Sequence, residues 1–552
     1  EIAQCLVGSE MCIRDRETGI SDETIEEVIE RFEKEKGFAL EPLQKEGIKL
    51  CKHHAGVLSG CAGSGKTTTS DCLTEALKTL DDVKIVYCTP TGKACRRLAE
   101  VVHSTVKTIH SQFNVMLGGA SYLQRVFKRK NKTGDVERVS TVYILDEMAM
   151  CSTELLYNVA KSIEDNDMVY FLGDVKQLPP IGRGCPFRVL MNLLPCVELG
   201  VSKRAAEGSL INYNTSLINF MSTPICRELK YDTKTFIAKD CDDISIVPTV
   251  RSVFNGFMSG ELTGVKYSED DIQVISGYQA KEKVSSTNRL NAPLQEDLRR
   301  YDKVLYYRES RNPEEENKPF YKGDRVIYVN RNSYDICRYV LKPDGTFHQT
   351  ITFGCVNGEM GKLVEVVSTK DIKIHSINSN RVSIDDDIYS EVSNSEFSEM
   401  LERFKEKEES MRNDSVIRGD SLYFVVIKVY DTDLRKDVYV LLRATGRFVD
   451  SDFCLSGSDL GNLSLAYALT CHKMQGSQNK VIIAVFESRG NPDFINRNMI
   501  NTIITRSQEV VCCIGSVTGE DSLINRGRLS VSNLGSHDLL SWLTGDDSWI
   551  EG

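Results

Sequence analysis

One eight-residue stretch constrains this chain more than any other: Gly60-Cys61-Ala62-Gly63-Ser64-Gly65-Lys66-Thr67. It fits G-x-x-x-x-G-K-[ST], the phosphate-binding P-loop, and it follows the apolar Val57-Leu58 where a strand should end. The glycines of such a loop let the backbone curl until its N–H groups point inward at a di- or triphosphate. A lysine in the place of Lys66 reaches the outer phosphates, and a hydroxyl in the place of Thr67 holds Mg²⁺. The loop needs a strand before it and a helix after it, so the motif implies an α/β unit as well as a ligand class.

The rest of the chain is read around that loop. Its 552 residues suggest three or four domains at about 150 residues each. No apolar run approaches the roughly 18 residues needed to cross a bilayer, so no membrane partner is expected. The 18 cysteines are scattered without C-x-x-C spacing and there are only eight histidines, which argues against a zinc module and for free thiols in a reducing compartment. Net charge is −11, which by itself disfavours nucleic acid. The acid, however, is concentrated in residues 385–414 and 311–317, whereas Arg125, Lys128, Arg129, Lys130 and Lys132 form a basic cluster. A local basic track binds phosphates even on an acidic protein. Residues 1–16 have no helical or strand period and resemble translated adapter sequence, so they are read as a non-native scar or a disordered tail.

Residues 21–36 read as an amphipathic helix, with Ile25, Val28, Ile29 and Phe32 at helical spacing and Gly37 as its stop. Apolar runs then recur at Val83–Cys88, Thr141–Leu145 and Met168–Leu172, separated by helical or irregular stretches. This alternation predicts a parallel sheet covered by helices. A second set at Ile272–Ile275, Leu465–Leu469, Val481–Phe486 and Val510–Ile514 predicts another α/β domain. Residues 336–455 have a different texture, with short Val/Ile/Tyr runs broken by Gly, Asn and Asp, and read as a β-rich insertion. Around residues 118–140, Thr133-Gly134-Asp135 between polar flanks predicts a β-hairpin.

Two further segments carry chemistry. Tyr143-Ile144-Leu145 runs into Asp146-Glu147, which puts two carboxylates at the C-terminal end of a buried strand, where doubly wound sheets bind ligands. Asp146 suits the Mg²⁺ shell and Glu147 suits deprotonation of an attacking water. Gly173-Asp174-Val175-Lys176-Gln177-Leu178-Pro179-Pro180 closes the next strand, and the Gln177 amide suits sensing of a γ-phosphate.

The ordered set of motifs resembles superfamily 1 helicases of group B, the RecD-like and Dda-like enzymes. Gln44 falls where that family has its adenine-reading glutamine. Cys88–Ala94 resembles its motif Ia, Thr108-Ile109-His110 motif Ib, Asp146–Ala149 motif II and Gly173–Pro180 motif III. Ser202-Lys203-Arg204 resembles motif IV, with Ala205 where glutamine is usual. Leu465–Ser477 resembles motif V, and Asn501–Ser507 motif VI, with Asn501 in place of the common tyrosine. Lys322–Val326 and Val356–Gly361 resemble segments at the start of the family's SH3-like 2B domain. The match spans about residues 40–515.

The resemblance implies two RecA-like parallel-sheet motor domains with a small β-hairpin insertion and an SH3-like β-barrel insertion. Its boundaries would be an N-terminal helix at 17–40, domain 1A at 41–200 with hairpin 1B at about 113–140, domain 2A at 201–335 plus 456–552, and domain 2B at 336–455. ATP and Mg²⁺ are the implied cofactors. Gln44, Gly60, Gly63, Ser64, Gly65, Lys66, Thr67 and Thr68 would bind the nucleotide, and Thr67 with Asp146 the metal. Lys66, Asp146, Glu147, Gln177, Arg204 and Arg506 would be catalytic, the two arginines meeting charge on the γ-phosphate. Arg506 belongs to the second α/β set, so the ATP site would lie between two domains that close and open with the nucleotide. Pro90, Thr91, Thr108, His110, Thr470, His472 and Gln475 would line a channel for single-stranded DNA, binding the backbone without reading bases.

The resulting expectation is a cytoplasmic, monomeric ATP-dependent DNA helicase of a bacterial or phage-infected cell. It would move 5′ to 3′ on single strands and at single–double-strand junctions, alongside replication, recombination or repair proteins. Two other readings stay open: an RNA helicase of the Upf-like group, and an ATP-switched DNA-binding subunit of a recombination complex.

Overall fold

The structure, a computed structural model, describes residues 16–61, 63–81, 83–102, 106–113, 128–130, 136–138, 140–164, 166–180, 184–200, 209–220, 229–310, 316–329, 338–341, 347–350, 358–368, 381–385, 388–391, 421–431, 436–449, 451–491, 494–518 and 522. They fall into two compact units, one drawn from Glu1–Arg289 and Leu469–Gly552, the other from Leu290–Ala468.

The first unit opens with helix α1 (Asp22–Lys36). Ser21 caps it, its hydroxyl accepting from Thr24 N at 3.2 Å, and Gly37 ends it in the left-handed conformation at φ 74°, as its sequence predicts. Ile25, Val28, Ile29 and Phe32 are buried in one apolar cluster with Cys72, Leu73, Ala76 and Leu77 of the helix that follows the P-loop. The N-terminal helix therefore braces the phosphate-binding helix.

Six strands form the first sheet: β1 (Ala55–Gly60), β2 (Val83–Thr89), β3 (Val106–Thr108), β4 (Ser140–Leu145), β5 (Met168–Gly173) and β6 (Cys196–Leu199). Their order is β3-β2-β4-β5-β1-β6, and every pairing is parallel. Alternate residues feed opposite faces: Leu58, Ile144, Tyr170 and Leu172 enter one buried cluster, while Val57, Tyr143, Leu145, Val169 and Phe171 enter another. The strand ends are aligned by register, with Ser59 beside Gly173 and Cys88 beside Leu145. The P-loop, the acid pair and the Asp174 turn thus emerge from one edge of the sheet.

A second parallel arrangement follows in the same unit. It comprises β7 (Phe236–Asp240), β8 (Ile272–Ser276), β9 (Ala468–Thr470), β10 (Asn479–Phe486) and β11 (Ser507–Gly515), in the order β9-β8-β10-β11-β7. The β8–β10, β10–β11 and β11–β7 pairs are parallel. The two α/β sets expected from the apolar runs are both present.

Between the two units the distribution of strands differs from the sequence expectation. The second unit is built on a ten-stranded sheet. Val304–Arg308, Lys318–Tyr321 and Arg325–Tyr328 belong to it, as do Asp452–Ser456 and Leu463–Leu465, although texture alone set the insertion at 336–455. The run Leu465–Leu469 is divided, its first residue pairing with Val326 in this sheet and its later residues forming β9. The core of this unit holds Tyr306 stacked on Phe320 at 5.1 Å, with Leu363, Val425, Ile427, Leu442 and Leu455. At its centre Asp324, fully buried, accepts from Gln295 Nε2 at 2.6 Å, Tyr467 OH at 2.8 Å and Tyr321 N at 2.8 Å, and lies 3.4 Å from Arg299 Nε. Burial pushes its carboxyl above the usual range despite these donors.

Lys128–Lys130 pairs antiparallel with Val136–Arg138. The Thr133-Gly134-Asp135 turn, the acidic stretch 392–414 and residues 1–15 lie outside the described residues. None of the described helices is long and apolar enough to cross a membrane.

Candidate active site

The P-loop leaves β1 at Gly60 and enters helix α2 (Lys66–Leu77). Gly63 and Gly65 sit at φ 84° and 88°, a region that costs any residue with a Cβ about 1–2 kcal/mol. Lys66 Nζ turns into the loop and donates to Gly60 O at 2.6 Å and Cys61 O at 3.1 Å. The Ser64 hydroxyl is buried with no hydrogen-bond partner, a polar atom that a bound phosphate would satisfy. Thr67 and Thr68 follow in the first turn, both half-buried.

Gln44 comes to the same loop from the short helix Pro42–Ile48. Its Oε1 accepts from Glu41 N at 2.9 Å, closing a capping box. A Cβ on Gly65 would collide with Gln44 Nε2. The glutamine that resemblance makes the base reader is therefore held by its carbonyl oxygen, with its amide nitrogen at the loop.

Asp146 follows β4, and its N donates to Cys88 O at 2.9 Å. Glu147 adopts the left-handed conformation at φ 57°, uncommon for a residue with a side chain, and its N donates to Asp146 Oδ1 at 2.7 Å. That strained turn aims two carboxylates into one space. Burial and the Glu147 charge push the Asp146 carboxyl upward, and Lys66 pulls it down. The P-loop lysine and the acid pair are thus within electrostatic reach of each other.

The next edge loop connects both sheets. After β5, buried Asp174 accepts from Lys176 N at 3.0 Å and from Gln177 Nε2 at 3.1 Å. Gln177 Oε1 in turn accepts from Arg506 Nη2 at 2.7 Å. Arg506 is 1% exposed, and its other nitrogens donate to Thr502 O at 3.2 Å and Ser477 O at 3.4 Å. Burial lowers its guanidinium pKa, while Glu147 opposes that. Helix α3 (Arg497–Ile504) carries Asn498, Asn501 and Thr502 onto the same loop. Asn498 Nδ2 donates to Gln177 O at 3.0 Å and Val175 O at 3.3 Å, Asn501 Nδ2 to Lys176 O at 2.9 Å, and Leu178 N donates to Thr502 Oγ1 at 3.0 Å.

The residues assigned by resemblance to nucleic acid lie around the same edge. Thr89 pairs with Thr108 in register, which brings Pro90, Thr91, Thr108 and His110 to neighbouring strand ends. Thr91 Oγ1 accepts from Ala94 N at 3.3 Å and so caps the helix Gly92–Val102. Gly476, at φ 75°, lies so close that a Cβ there would sit 3.3 Å from the Ala94 Cβ. This contact joins the segment holding Thr470, His472 and Gln475 to the segment holding Pro90 and Thr91. Burial lowers the pKa of His110 and of His472, leaving both imidazoles uncharged near neutrality. Gln475 Nε2 is a buried donor without a partner. Arg204 lies outside the described residues.

Three participants escape a residue-by-residue reading. Asp174 had a detectable signal, a carboxylate directly after a buried strand, the same signal that marks Asp146. Asn498 and Thr502 had none, because their partners are backbone atoms 321 and 324 positions away.

Residues 39–218 match the AAA domain family. The chain is 30% identical over 172 residues to the ATP-dependent RecD2 DNA helicase of Deinococcus radiodurans, covering 31% of this chain and 22% of that protein. It is 29% identical over 139 residues to the ATP-dependent DNA helicase dda of Enterobacteria phage T4, covering 25% and 31%. An uncharacterized protein of Methanocaldococcus jannaschii, MJ1519, is 32% identical over 178 residues, covering 31% of this chain and 15% of that protein. The chain thus spans between 15% and 31% of the length of these three relatives. Among solved structures, Pif1 helicase from Bacteroides in complex with ADP-AlF3 and ssDNA superposes with a TM-score of 0.43 at 15% identity, over 92% of this chain and 98% of that one. The similarity to the RecD2 and dda helicases thus takes in between a quarter and a third of this chain.

Proposed function

We propose that the chain is an ATP-dependent DNA helicase that moves 5′ to 3′ along single-stranded DNA and hydrolyses ATP between its two parallel sheets. One observation carries this reading: Arg506, from the second sheet, donates to Gln177 on the edge of the first, beside the acid pair and the P-loop. A guanidinium delivered from a second domain suits stabilisation of charge on a transferring phosphoryl group, worth about 10³–10⁵ in rate. Arg204 is proposed as its companion.

In this mechanism the P-loop amides and Lys66 bind the phosphates, Gln44 meets the adenine, and Glu147 takes a proton from the attacking water. Thr67 and Asp146 would hold Mg²⁺. The donor set fits, because a divalent cation offsets the burial and the neighbouring Glu147 charge that together raise Asp146. The cation supplies charge neutralisation at the phosphate oxygens. Thr68 completes the phosphate cradle. Pro90, Thr91, Thr108, His110, Thr470, His472 and Gln475 would grip DNA phosphates with hydroxyls, amides and neutral imidazoles. The antiparallel pair at 128–138 is proposed as a duplex-splitting hairpin, and the second unit as the home of an SH3-like 2B domain. Junction DNA, recombination or replication partners, a monomeric state and a cytoplasmic setting belong to the same proposal.

Strand displacement on partial duplexes with a 5′ or a 3′ overhang tests activity, substrate and polarity together. The 5′ substrate alone should be unwound, and Lys66→Ala should lose ATP turnover. Unwinding of RNA rather than DNA would favour the Upf-like reading. ATP and DNA binding without displacement would favour a nucleotide-switched subunit.

A further inference from the structure

The loop that carries Gln177 is held from outside its own sheet. Four successive residues, Val175 to Leu178, each use a main-chain group to meet α3. The carbonyls of Val175 and Gln177 accept from Asn498, the carbonyl of Lys176 accepts from Asn501, and the Leu178 amide donates to Thr502. Asn498 is 6% exposed, and Asn501 and Thr502 are more deeply buried still. Buried contacts of this sort do not read side chains. They set where the loop backbone lies, and through it where the Gln177 amide stands between Asp174 and Arg506.

We propose that Asn498 and Asn501 are positioning residues that seat Gln177 for hydrolysis by fixing the loop carbonyls beneath it. Their side-chain amides donate to the loop carbonyls. The inference rests on the proposed ATP hydrolysis and deepens it. The polar seam makes Gln177 answer to the position of the second sheet: when α3 withdraws, three carbonyls and one amide lose their partners together, and the amide side chain loses its seat. Nucleotide binding at the P-loop should stay intact, because Lys66 is held by the Gly60 and Cys61 carbonyls of its own loop.

The test is a double-mutant cycle in the full chain, with Asn498→Asp and Gln177→Ala. The Asp side chain has the shape of Asn but replaces the donor with an acceptor facing two carbonyls. Asn498→Asp should lower kcat for DNA-stimulated ATP hydrolysis about 10- to 100-fold, the scale expected for misplacement of a catalytic group. KM for ATP and the affinity for a fluorescent ADP should stay within about twofold of wild type, because ground-state binding is untouched. In the Gln177→Ala background the same substitution should cost little further, because its effect passes through Gln177. Fully additive losses, or equal losses in kcat and ADP affinity, would overturn the proposal. Amide hydrogen exchange of residues 175–178 supplies a readout independent of turnover. Exchange should accelerate in Asn498→Asp and not in Gln177→Ala, and unchanged protection would sink the inference even if the wild-type chain proved inactive as an ATPase.

Discussion

Arg506 and Gln177, 329 positions apart, share a 2.7 Å hydrogen bond in which the guanidinium donates to the amide oxygen while the amide nitrogen donates to Asp174. Gln177 is thereby a neutral bridge between a buried carboxylate of one sheet and a buried cation of the other. If Arg506 is the group that meets charge on the phosphate, Arg506→Lys should lower kcat by about 10³-fold, because an ammonium cannot reproduce the planar fork. Nucleotide affinity should change little. Rapid-quench ATP hydrolysis checks this, and a variant within a few-fold of wild type would remove Arg506 from the chemistry.

Gln44 offers a test of base recognition. Its Oε1 is held by Glu41 N, which presents the amide in one orientation. Gln44→Ala should raise KM for ATP about 5- to 10-fold, the worth of one net hydrogen bond, and leave KM for GTP unchanged. Steady-state kinetics with both nucleotides gives the answer, and parallel changes for the two would mean that Gln44 supports the loop rather than reading the base.

The acid pair predicts a pH-dependent trade of stability for function. Asp146 holds its proton more tightly in the folded chain than in the unfolded one, because of burial and Glu147. Its contribution to stability is therefore full below the unfolded carboxyl range and is lost as pH rises through its elevated folded pKa. Glu147→Gln removes the neighbouring charge. The apparent melting temperature should rise by about 1–3 °C at about pH 8 and by less at about pH 5, while hydrolysis is lost. A fall at the higher pH would refute the crowding.

In the second unit, Tyr467 donates to Asp324 at 2.8 Å, and both residues are fully buried. Tyr467→Phe should cost about 1–3 kcal/mol, because it strips a donor from a buried acceptor. Urea unfolding of the full chain followed by tyrosine fluorescence measures it. An unchanged midpoint would show that Asp324 does not depend on that hydroxyl.

Much of the P-loop and acid-pair geometry is legible because it is local. Gly63 and Gly65 adopt positive φ, as a loop curling around phosphate demands, and Asp146 follows a strand that its apolar run announces. The limits of the second unit were less legible. A Val/Tyr-rich run such as Val304–Arg308 reads the same whichever sheet it joins, and only its pairing, antiparallel with Lys318–Tyr321 and parallel with Asp452–Ser456, decides. Likewise nothing in Asn498 or Thr502 as residue types announces a backbone partner in a distant loop. Thr91, expected on DNA, caps a helix, a role that spacing alone does not announce.

The seam from Asn498 to Arg506 has a consequence for ionic strength. Among the described residues its direct contacts with the Gln177 loop are amides, hydroxyls and carbonyls, and the Arg506 guanidinium donates to neutral oxygens. Mobile ions weaken exposed charge pairs and strip counterion-driven contacts from polynucleotides, yet they have little purchase on buried dipoles. Added salt should therefore weaken exposed ion pairs such as Lys49–Glu46 well before it parts the two sheets.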